Sequence, residues 1–320
     1  MFELCAKIEI RSQTKVWTFD KVAELEITRD MDTLTDTCVL KLPKKIRWQG
    51  ETQIPIKRGD AISVWLGYDG QLQFAFRGFV TTIGLKTPIE ISCEDQMFLL
   101  KKQDAKKLAY QTATIEQILH DQNLGVRYKV FGEQHIGRFR VSANTVTELL
   151  GQLKDQGGIR SFFRVEDGEP VLYCGVLFER DVRCRQVFAT GINLIDDSQL
   201  EVQSAADMKI KIKAISLLPN NKRIRIELGD ADGDRRTIHT YNKTEQELKA
   251  WAEQELKRLK QDGLRGTFTT YGAVLIDKLD HIGIKIDGQR RGIYQTQKNV
   301  IKYGTGGFRQ EITLGQRVAE

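Results

Sequence analysis

The feature that most constrains the fold of this 320-residue chain is a repeated alternation of apolar and polar residues. Ile8 and Ile10 alternate with charged neighbours, and Leu25 and Ile27 do the same. The alternation recurs at residues 38–42, 62–66, 72–76 and 89–93. Because successive side chains of a strand point to opposite faces, a period of two predicts half-buried β-strands. About seven such strands, with no helix signal, indicate a small β-barrel or β-sandwich, and we predict a first small β-barrel domain over residues 1–100.

Helix signals enter in residues 101–190. Sequences with the form of a capping box, in which a Thr side chain accepts a hydrogen bond from a backbone N–H of the first turn, begin at Thr114 and Thr145. An apolar stripe of helical spacing follows each, and the predicted C-terminal stops are Gly125 for the first helix and Gly157-Gly158 for the second. Since a predicted hairpin follows the second helix, this segment is predicted to be an α+β domain.

Strand alternation returns in residues 191–320. The clearest examples are residues 208–214 and 224–228. A third capping box at Thr244 predicts the longest helix, with its end at Gly263. Further strands are predicted at residues 282–286 and 292–314. This segment is therefore predicted to be a second small β-barrel domain that carries one long helix, and the whole chain a mainly β protein whose two barrels flank an α+β module.

Composition excludes several classes of protein. Hydrophobic residues make up 40% of the chain and charged residues 29%, which excludes a disordered chain. No apolar run approaches the ~20 residues of a membrane helix, and the residues after Met1 lack the apolar core of an export signal. The five cysteines are scattered without a C-x-x-C pair, so we expect small buried side chains in a reducing compartment. No membrane partner is expected.

Patterns typical of catalysis are weak. The chain has four histidines, which are His120, His135, His239 and His281. None belongs to a recognisable nucleophile signature, and no G-x-S-x-G motif is present. Residues 230–234 resemble the start of a calcium loop, but position twelve is Tyr241 and not Glu, so a tight acidic hairpin turn is predicted. Residues 304–307 lack the Lys-Ser/Thr of a phosphate loop and predict a turn between strands.

The sequence therefore predicts no catalytic, cofactor-binding or metal-binding residue, and no cofactor. A carboxylate pair for sugar cleavage stays open, because the distance between two carboxyl groups is not readable from a sequence.

Positive charge is the remaining chemical signal. The net charge is +6, which suits nucleic acid or an acidic protein surface without requiring either. The basic clusters lie at residues 44–47, 101–107, 222–225 and 290–291. On alternating strands such residues either form a solvated face or line a channel that nucleic acid passes through. The sequence leaves both interpretations open.

Three stretches, taken in order, resemble a known family. The first is the hairpin at residues 22–43, followed by residues 57–64 and 76–80. The second is the helix at 145–150 that leads through Gly157 into an aromatic hairpin, and the third is the closing hairpin at 292–315. Together they resemble the central baseplate hub proteins of contractile phage tails. That group includes the late control protein D family, the Mu-type 43-kDa tail protein and the N-terminal part of type VI secretion spike proteins.

This resemblance implies a non-enzymatic structural protein. It implies a homotrimer with a central channel, in which two tube-like barrels per chain present six similar units to a sixfold tail tube and the other face meets a threefold spike. The implied partners are the tail tube protein, the central spike protein and DNA passing through the channel without sequence specificity. The implied location is the tail baseplate of a virion, assembled in the bacterial cytoplasm. The alternatives are a tail-associated enzyme that degrades the cell wall and a nucleic-acid-binding module.

Overall fold

The computed structural model describes residues 3–13, 15–43, 54–84, 88–132, 135–176, 184–218, 220 and 222–319. The first strands are β1 (Leu4–Arg11), β2 (Val16–Phe19), β3 (Glu24–Asp30), β4 (Thr37–Leu42), β5 (Ala61–Tyr68), β6 (Gln71–Gly84) and β7 (Ile89–Glu94). There follow α1 (Met97–Leu100), β8 (Ala109–Thr114), α2 (Ile115–Gln122), β9 (Arg127–Phe131), β10 (His135–Arg140), α3 (Val146–Gly157), β11 (Arg160–Glu166) and β12 (Glu169–Gly175). The remaining elements are β13 (Cys184–Ala189), β14 (Leu194–Gln203), β15 (Ile210–Leu217), β16 (Arg223–Gly229), β17 (Asp234–Tyr241), α4 (Glu245–Leu259), β18 (Gly263–Tyr271), β19 (His281–Ile286), β20 (Gln289–Gly304) and β21 (Gly307–Ala319). The predicted mainly β class with a helical insert is confirmed.

Thirteen of these strands form one sheet. Eleven follow in the order β14-β18-β21-β20-β3-β4-β7-β6-β5-β1-β2, while β19 pairs with β20 and β13 with β19. The prediction of two small β-barrels needs one correction: the strands do not close into barrels, because the path of this sheet has β2 at one end and β14 at the other. The physical reason is that β3 pairs with β4 along one edge and with β20 along the other, which joins the first strands of the chain to the last. Alternation predicts strands and their faces, but it does not predict their partners.

The described chain divides into two compact units. Unit 1 comprises Met1–Phe98, Arg183–Leu200 and Gly266–Glu320, and unit 2 comprises Leu99–Val182 and Glu201–Arg265. Unit 1 contains most of the thirteen-stranded sheet, and unit 2 contains three smaller sheets. The three-domain division at residues 1–100, 101–190 and 191–320 stays a prediction.

The core of unit 1 forms from the inward faces of its strands. Ile8 and Ile27 are fully buried, as their places in the alternation predict. The closing hairpin adds Tyr303 and Phe308 to the same core, and the Phe308 ring centroid lies 5.5 Å from that of Tyr68. Each buried side chain of this size contributes about 1.5–3 kcal/mol. One core therefore extends across the junction of β3 and β20.

Unit 2 consists of three small sheets, each contacted by one helix. Strand β8 pairs with β10 and contacts α2, and the sheet β11-β12-β9 contacts α3. In the third sheet β15 is central, antiparallel to β16 and parallel to β17. Helix α4 covers one face of it, where Leu248 and Ala252 are buried against Ile212 and Ala214.

The three predicted long helices begin where the capping boxes place them. The N-caps are Thr114, Thr145 and Thr244. The side chain of each accepts a hydrogen bond from the backbone N–H of the residue three positions later in the chain. The box at Thr244 is complete, because its own N–H donates to Glu247 Oε2 at 2.8 Å. The short helix α1 lies in a stretch where the sequence predicts no helix.

The predicted helix ends are correct for α3 only. Gly158 is the left-handed C-cap of α3, with φ of 69°. Helix α2 ends before the predicted Gly125, because Asn123 adopts the left-handed conformation that Asn tolerates and donates its N–H to the His120 carbonyl. Helix α4 ends at Leu259, and the predicted stop Gly263 is instead the first residue of β18.

Two of the predicted turns connect paired strands as expected. Asp69 and Gly70, both with positive φ, join β5 to β6, and residues 304–307 join β20 to β21. The acidic segment 230–234 is a turn but not a hairpin, because β16 and β17 pair with opposite edges of β15 and not with each other. The chain that leads into this turn passes so close to the start of β15 that a Cβ on Gly229, the last residue of β16, would lie 2.1 Å from the Ile210 carbonyl oxygen.

Candidate interaction surfaces

Cationic side chains share the face of sheet β16-β15-β17 that lies opposite α4. Strand register places four rows of residues side by side on it: Lys211, Gly229 and Arg235; Lys213, Glu227 and Thr237; Ile215, Arg225 and His239; Leu217, Arg223 and Tyr241. We call these twelve residues the basic face. It carries five cationic side chains and one carboxylate, that of Glu227. The sequence cluster at 222–225 is therefore one edge of a larger cationic surface.

The alternation of the three strands produces this surface. In β15 the odd-numbered lysines are half-buried, while the even-numbered Ile210, Ile212 and Ala214 pack against α4. In β16 the arginines are exposed and the intervening Ile224, Ile226 and Leu228 contribute to the core beneath α4. A one-residue shift in register would exchange the two faces. The α4-facing core therefore fixes the side on which the cations lie.

The electrostatic field around Glu227 reflects the excess of cations. Its Oε2 lies 2.9 Å from Lys211 Nζ. The hydrogen bond and charge of Lys211, with further contributions from Arg235 and Lys213, hold the pKa of the Glu227 carboxyl below its usual range. Burial, and to a lesser extent the Arg223 charge, lower the pKa of His239. His239 is therefore neutral at pH 7, and the charge of the face comes from Lys and Arg.

One end of the basic face is occupied by the end of α3. The Tyr241 hydroxyl donates to the Gly157 carbonyl at 2.8 Å, and a Cβ on Gly158 would lie 2.8 Å from the His239 ring. Tyr241 and His239 are accordingly half-buried, whereas Arg235 and Arg225 are exposed. The exposed cations of the face are Arg223, Arg225 and Arg235, while Lys211 and Lys213 are half-buried.

The other sequence-predicted basic clusters differ in their surroundings. Lys106 Nζ donates to the Asp121 carbonyl at 2.7 Å, and Lys107 Nζ donates to the Ser142 carbonyl at 2.9 Å. These lysines bind backbone within unit 2. Arg290 is exposed at the start of β20. The cluster at residues 44–47 lies outside the described residues.

A second candidate surface is the apolar segment around β13 and the start of β14 in unit 1. The side chains of Val187, Ile192 and Ile195 are 42%, 79% and 40% exposed. β14 is an end strand of the main sheet path, so one of its edges has no partner strand among the described residues. Exposed apolar side chains at a sheet edge are typical of protein–protein contacts.

Unit 1 also contains a buried charge cluster. The Lys278 side chain is 0% exposed, and its Nζ lies 2.7 Å from both carboxylate oxygens of Asp36. The Asp36 backbone N–H donates to Asp95 Oδ2 at 3.0 Å. Burial raises the pKa of Asp36, and burial together with the neighbouring Asp36 raises that of Asp95 to about 7. These contacts link the residues beside β4, β7 and β19 within unit 1, so the cluster belongs to the interior of the fold and not to an exposed interaction surface.

That the chain has no catalytic or metal-binding residues stays a prediction. The structure does show where the histidines and the acidic turn considered in the sequence lie. In the described parts of the chain, no three His, Cys, Asp or Glu residues lie close enough to hold a metal. His120 is exposed in α2 beside Asp121, His281 is buried in β19, and the side chain of His135 is outside the described residues. In the acidic turn, Asp230 pairs with Lys260 and Asp232 with Lys209. None of the helices in the described segments has the length and apolarity to cross a membrane.

Comparison with solved structures finds chains of the same fold. The 43-kDa tail protein of prophage MuSo2 from Shewanella oneidensis matches with a TM-score of 0.61 and 16% identity, over 97% of this chain and 96% of that chain. A tail protein from Neisseria meningitidis MC58 matches with a TM-score of 0.62 and 13% identity, over the same shares of the two chains.

A third structure extends the likeness to secretion systems. An E. coli component of the type VI secretion system, which exhibits structural similarity to T4 bacteriophage tail proteins, matches with a TM-score of 0.58 and 11% identity. The match covers 98% of this chain and 77% of that chain. No protein-family model and no curated protein matches this sequence. The chain has the fold of prophage 43-kDa tail proteins, and the resemblance seen in its sequence is confirmed at the level of fold.

Proposed function

We propose that this chain is a structural hub protein of a contractile phage tail or a related injection machine. The observation that carries the proposal is the match to two tail proteins over almost the full length of both chains, 97% of this one and 96% of each of those. In this role the chain forms a homotrimer around a central channel, with the tail tube protein on one side and the spike on the other. It acts by holding geometry, and it breaks no bond.

The layout of unit 1 supports an adaptor between sixfold and threefold symmetry. Its sheet has two halves that meet where β3 pairs with β20: seven strands of the N-terminal part, and six strands of the C-terminal part. Each half contains a long strand with irregular register, β6 with 14 residues and β20 with 16. In this proposal each half of the sheet is one of the two similar modules that a chain presents to the tail tube. Three chains then present six such modules.

A closed ring requires a head-to-tail contact, in which two different surfaces of neighbouring chains meet. An obligate interface buries about 2,000 Å² or more in total, or roughly 1,000 Å² per partner. A chain with two such contacts would bury roughly 2,000 Å² of its 17,382 Å² accessible surface. We place one of the two contact surfaces at the exposed apolar segment of Val187, Ile192 and Ile195, because its side chains lie beside an open sheet edge.

The mass of the purified chain in solution tests the proposal. Three chains of 36.6 kDa give about 110 kDa, and negative-stain images should show rings with threefold symmetry. A stable 36.6 kDa species at micromolar concentration, or a twofold dimer, would contradict the trimer. Ile192→Glu, at a site that is 79% exposed, should shift the mass toward the monomer, whereas Leu72→Glu, at an apolar site on β6 that is 39% exposed, should not. A trimer that survives Ile192→Glu would retain the hub proposal and reject this contact.

The enzymatic alternative is tested separately. The intact chain should leave peptidoglycan uncleaved in a zymogram. A cleared band at its mass would contradict the structural role, and it would direct attention to exposed carboxylate pairs.

A further inference from the structure

We propose that the basic face binds the phosphate backbone of a nucleic-acid duplex without reading its sequence. The biological setting of this contact, a channel that DNA passes through, rests on the proposed function. The contact itself involves the surface of one chain and is tested separately from trimer formation.

The first argument is the concentration of charge. Five cations and the single carboxylate of Glu227 leave the basic face four positive charges, whereas the entire chain carries a net +6. Elsewhere acidic and basic residues nearly balance, as is usual for a solvated protein surface with interspersed signs. A surface that merely keeps the protein soluble does not need most of the net charge on one face of one small sheet. An extended polyanion is the ligand that uses such a face.

The second argument is geometry. Neighbouring strands lie about 4.8 Å apart and alternate residues along a strand about 6.7 Å apart, so three strands and four rows form a patch of roughly 10 by 20 Å. Over ~20 Å of its axis a DNA duplex carries about twelve phosphates. Backbone pairing on both sides of β15 holds the cations in a fixed array, which reduces the entropy lost on binding.

The third argument concerns which nucleic acid fits. The twelve positions contain no Asn, Gln, Phe or Trp, and their one Tyr donates its hydroxyl to the Gly157 carbonyl. Single-stranded binding relies on exposed aromatic rings that stack with bases. The face therefore offers charge without a stacking surface, which favours a duplex bound through phosphates.

An acidic protein surface is the competing ligand. It would be attracted by the same five cations. We favour the nucleic acid because the array is nearly uniform in sign, whereas protein interfaces of this kind usually combine charges with a buried apolar centre. Ile215 and Leu217, the apolar residues of the face, lie in the rows toward the α3 end, and both are partly or fully buried within the fold.

The experiment measures binding of the full-length protein to a labelled 30-base-pair duplex by fluorescence polarisation between 50 and 200 mM salt. With four net phosphate contacts, the logarithm of the affinity should fall with the logarithm of the salt concentration with a slope of about −3.6. The affinity should therefore weaken on the order of 100-fold over this range. Two duplexes of unrelated sequence should bind equally. Binding that is absent at 50 mM salt would overturn the proposal.

Matched variants locate the contact. Lys213→Gln, Arg225→Gln and Arg235→Gln combined should reduce the size of the slope by about 2.7, to about −0.9. A control with the same loss of charge combines Lys249→Gln and Lys257→Gln, on exposed positions of α4, with Arg290→Gln. The control should keep most of the slope. Equal losses in the two triple variants would overturn the assignment to the basic face, and circular dichroism verifies that both fold.

Two further measurements test the charge of the contact and the identity of the ligand. Glu227→Gln removes the only carboxylate of the face, so duplex affinity at 50 mM salt should rise several-fold. An unchanged or lower affinity would contradict a phosphate contact there. In a competition experiment, poly-glutamate should displace the labelled duplex less well than unlabelled duplex does at the same concentration of negative charge. Equal competition would overturn the proposal and favour an acidic protein as the partner. A protein that forms the expected trimer but fails to bind duplex would overturn this inference alone.

Discussion

Lys278→Met is the substitution whose effect follows most directly from the structure. It removes an ammonium group that is 0% exposed and leaves the Asp36 carboxylate buried without its bonded cation. Losing one partner of a buried ion pair costs about 3–5 kcal/mol. For a unit of roughly this size, such a loss lowers Tm by roughly 6–20 °C. Lys285→Met, at an exposed position in the neighbouring strand β19, is the matched control and should change stability by less than about 0.5 kcal/mol.

The pH dependence of the Lys278→Met effect has a defined sign. Burial already raises the pKa of Asp36 and of Asp95 in the folded chain above their unfolded values, and the Lys278 charge opposes this rise. Without that charge the folded-state pKa values rise further. A carboxyl with a raised folded pKa contributes stability that is present at low pH and is lost as pH rises through that pKa. The deficit of the variant should therefore be smaller at pH 5 than at pH 8.

Denaturant unfolding of the wild type and of the variants, at pH 5 and at pH 8, measures these differences. The double variant Lys278→Met with Asp36→Asn removes both charges of the pair, and it should regain most of the stability that the single variant loses at pH 8. A loss below about 1 kcal/mol for Lys278→Met at pH 8 would refute the reasoning. A double variant no more stable than the single one would refute it as well.

Three further predictions concern local contacts. Thr244→Ala should cost about 1 kcal/mol in thermal unfolding, because it removes the N-cap of α4, and no loss would contradict the capping role. Gly272→Ala should destabilise unit 1 by about 1–3 kcal/mol, since its Cβ would lie 2.3 Å from the Phe308 ring, whereas Gly151→Ala on α3 meets open space and should stabilise by about 0.5–1 kcal/mol. If both alanines shift stability in the same direction, the packing argument fails. The thiols of Cys38, Cys93 and Cys174 are buried, and burial raises their pKa. Iodoacetamide at pH 8 should therefore modify them only after denaturant is added, as detected by mass spectrometry. Native-state labelling of any of them would contradict their burial.

Local chemistry explains why the elements of this fold are predictable. Thr114, Thr145 and Thr244 determine where the long helices begin, because a side-chain oxygen three residues before an N–H satisfies that group whatever surrounds it. Asp69-Gly70 determines a hairpin for a similar reason, since both residues tolerate positive φ. The short strand β2 is not predicted because its four residues are too few to establish a period.

Long-range pairing explains what is not predictable. The sequence does not reveal that β3 pairs with β20, since either edge of an alternating strand accepts many partners. The basic face depends on the same kind of information. Its cluster at 222–225 is visible in the sequence, but Arg235 joins it only because β17 lies parallel to β15 on the far edge. The sequence also gives no indication that Lys278 is buried and paired. Its partner Asp36 is distant in the chain, and the residues beside the lysine, Ile276 and Asp277, do not point to it.

The pairing of β3 with β20 has a consequence for how the chain is made. Ile27 lies opposite Ile301 on the neighbouring strand, and Ile301 is synthesised 274 positions later. At about 5–20 residues per second, a ribosome takes roughly 15–55 s to deliver that partner. During this interval the outer edge of β3 is an unpaired template for any other strand, including one from a neighbouring nascent chain. The edge of β3 therefore stays open to non-native strand pairing until β20 has been synthesised and occupies it.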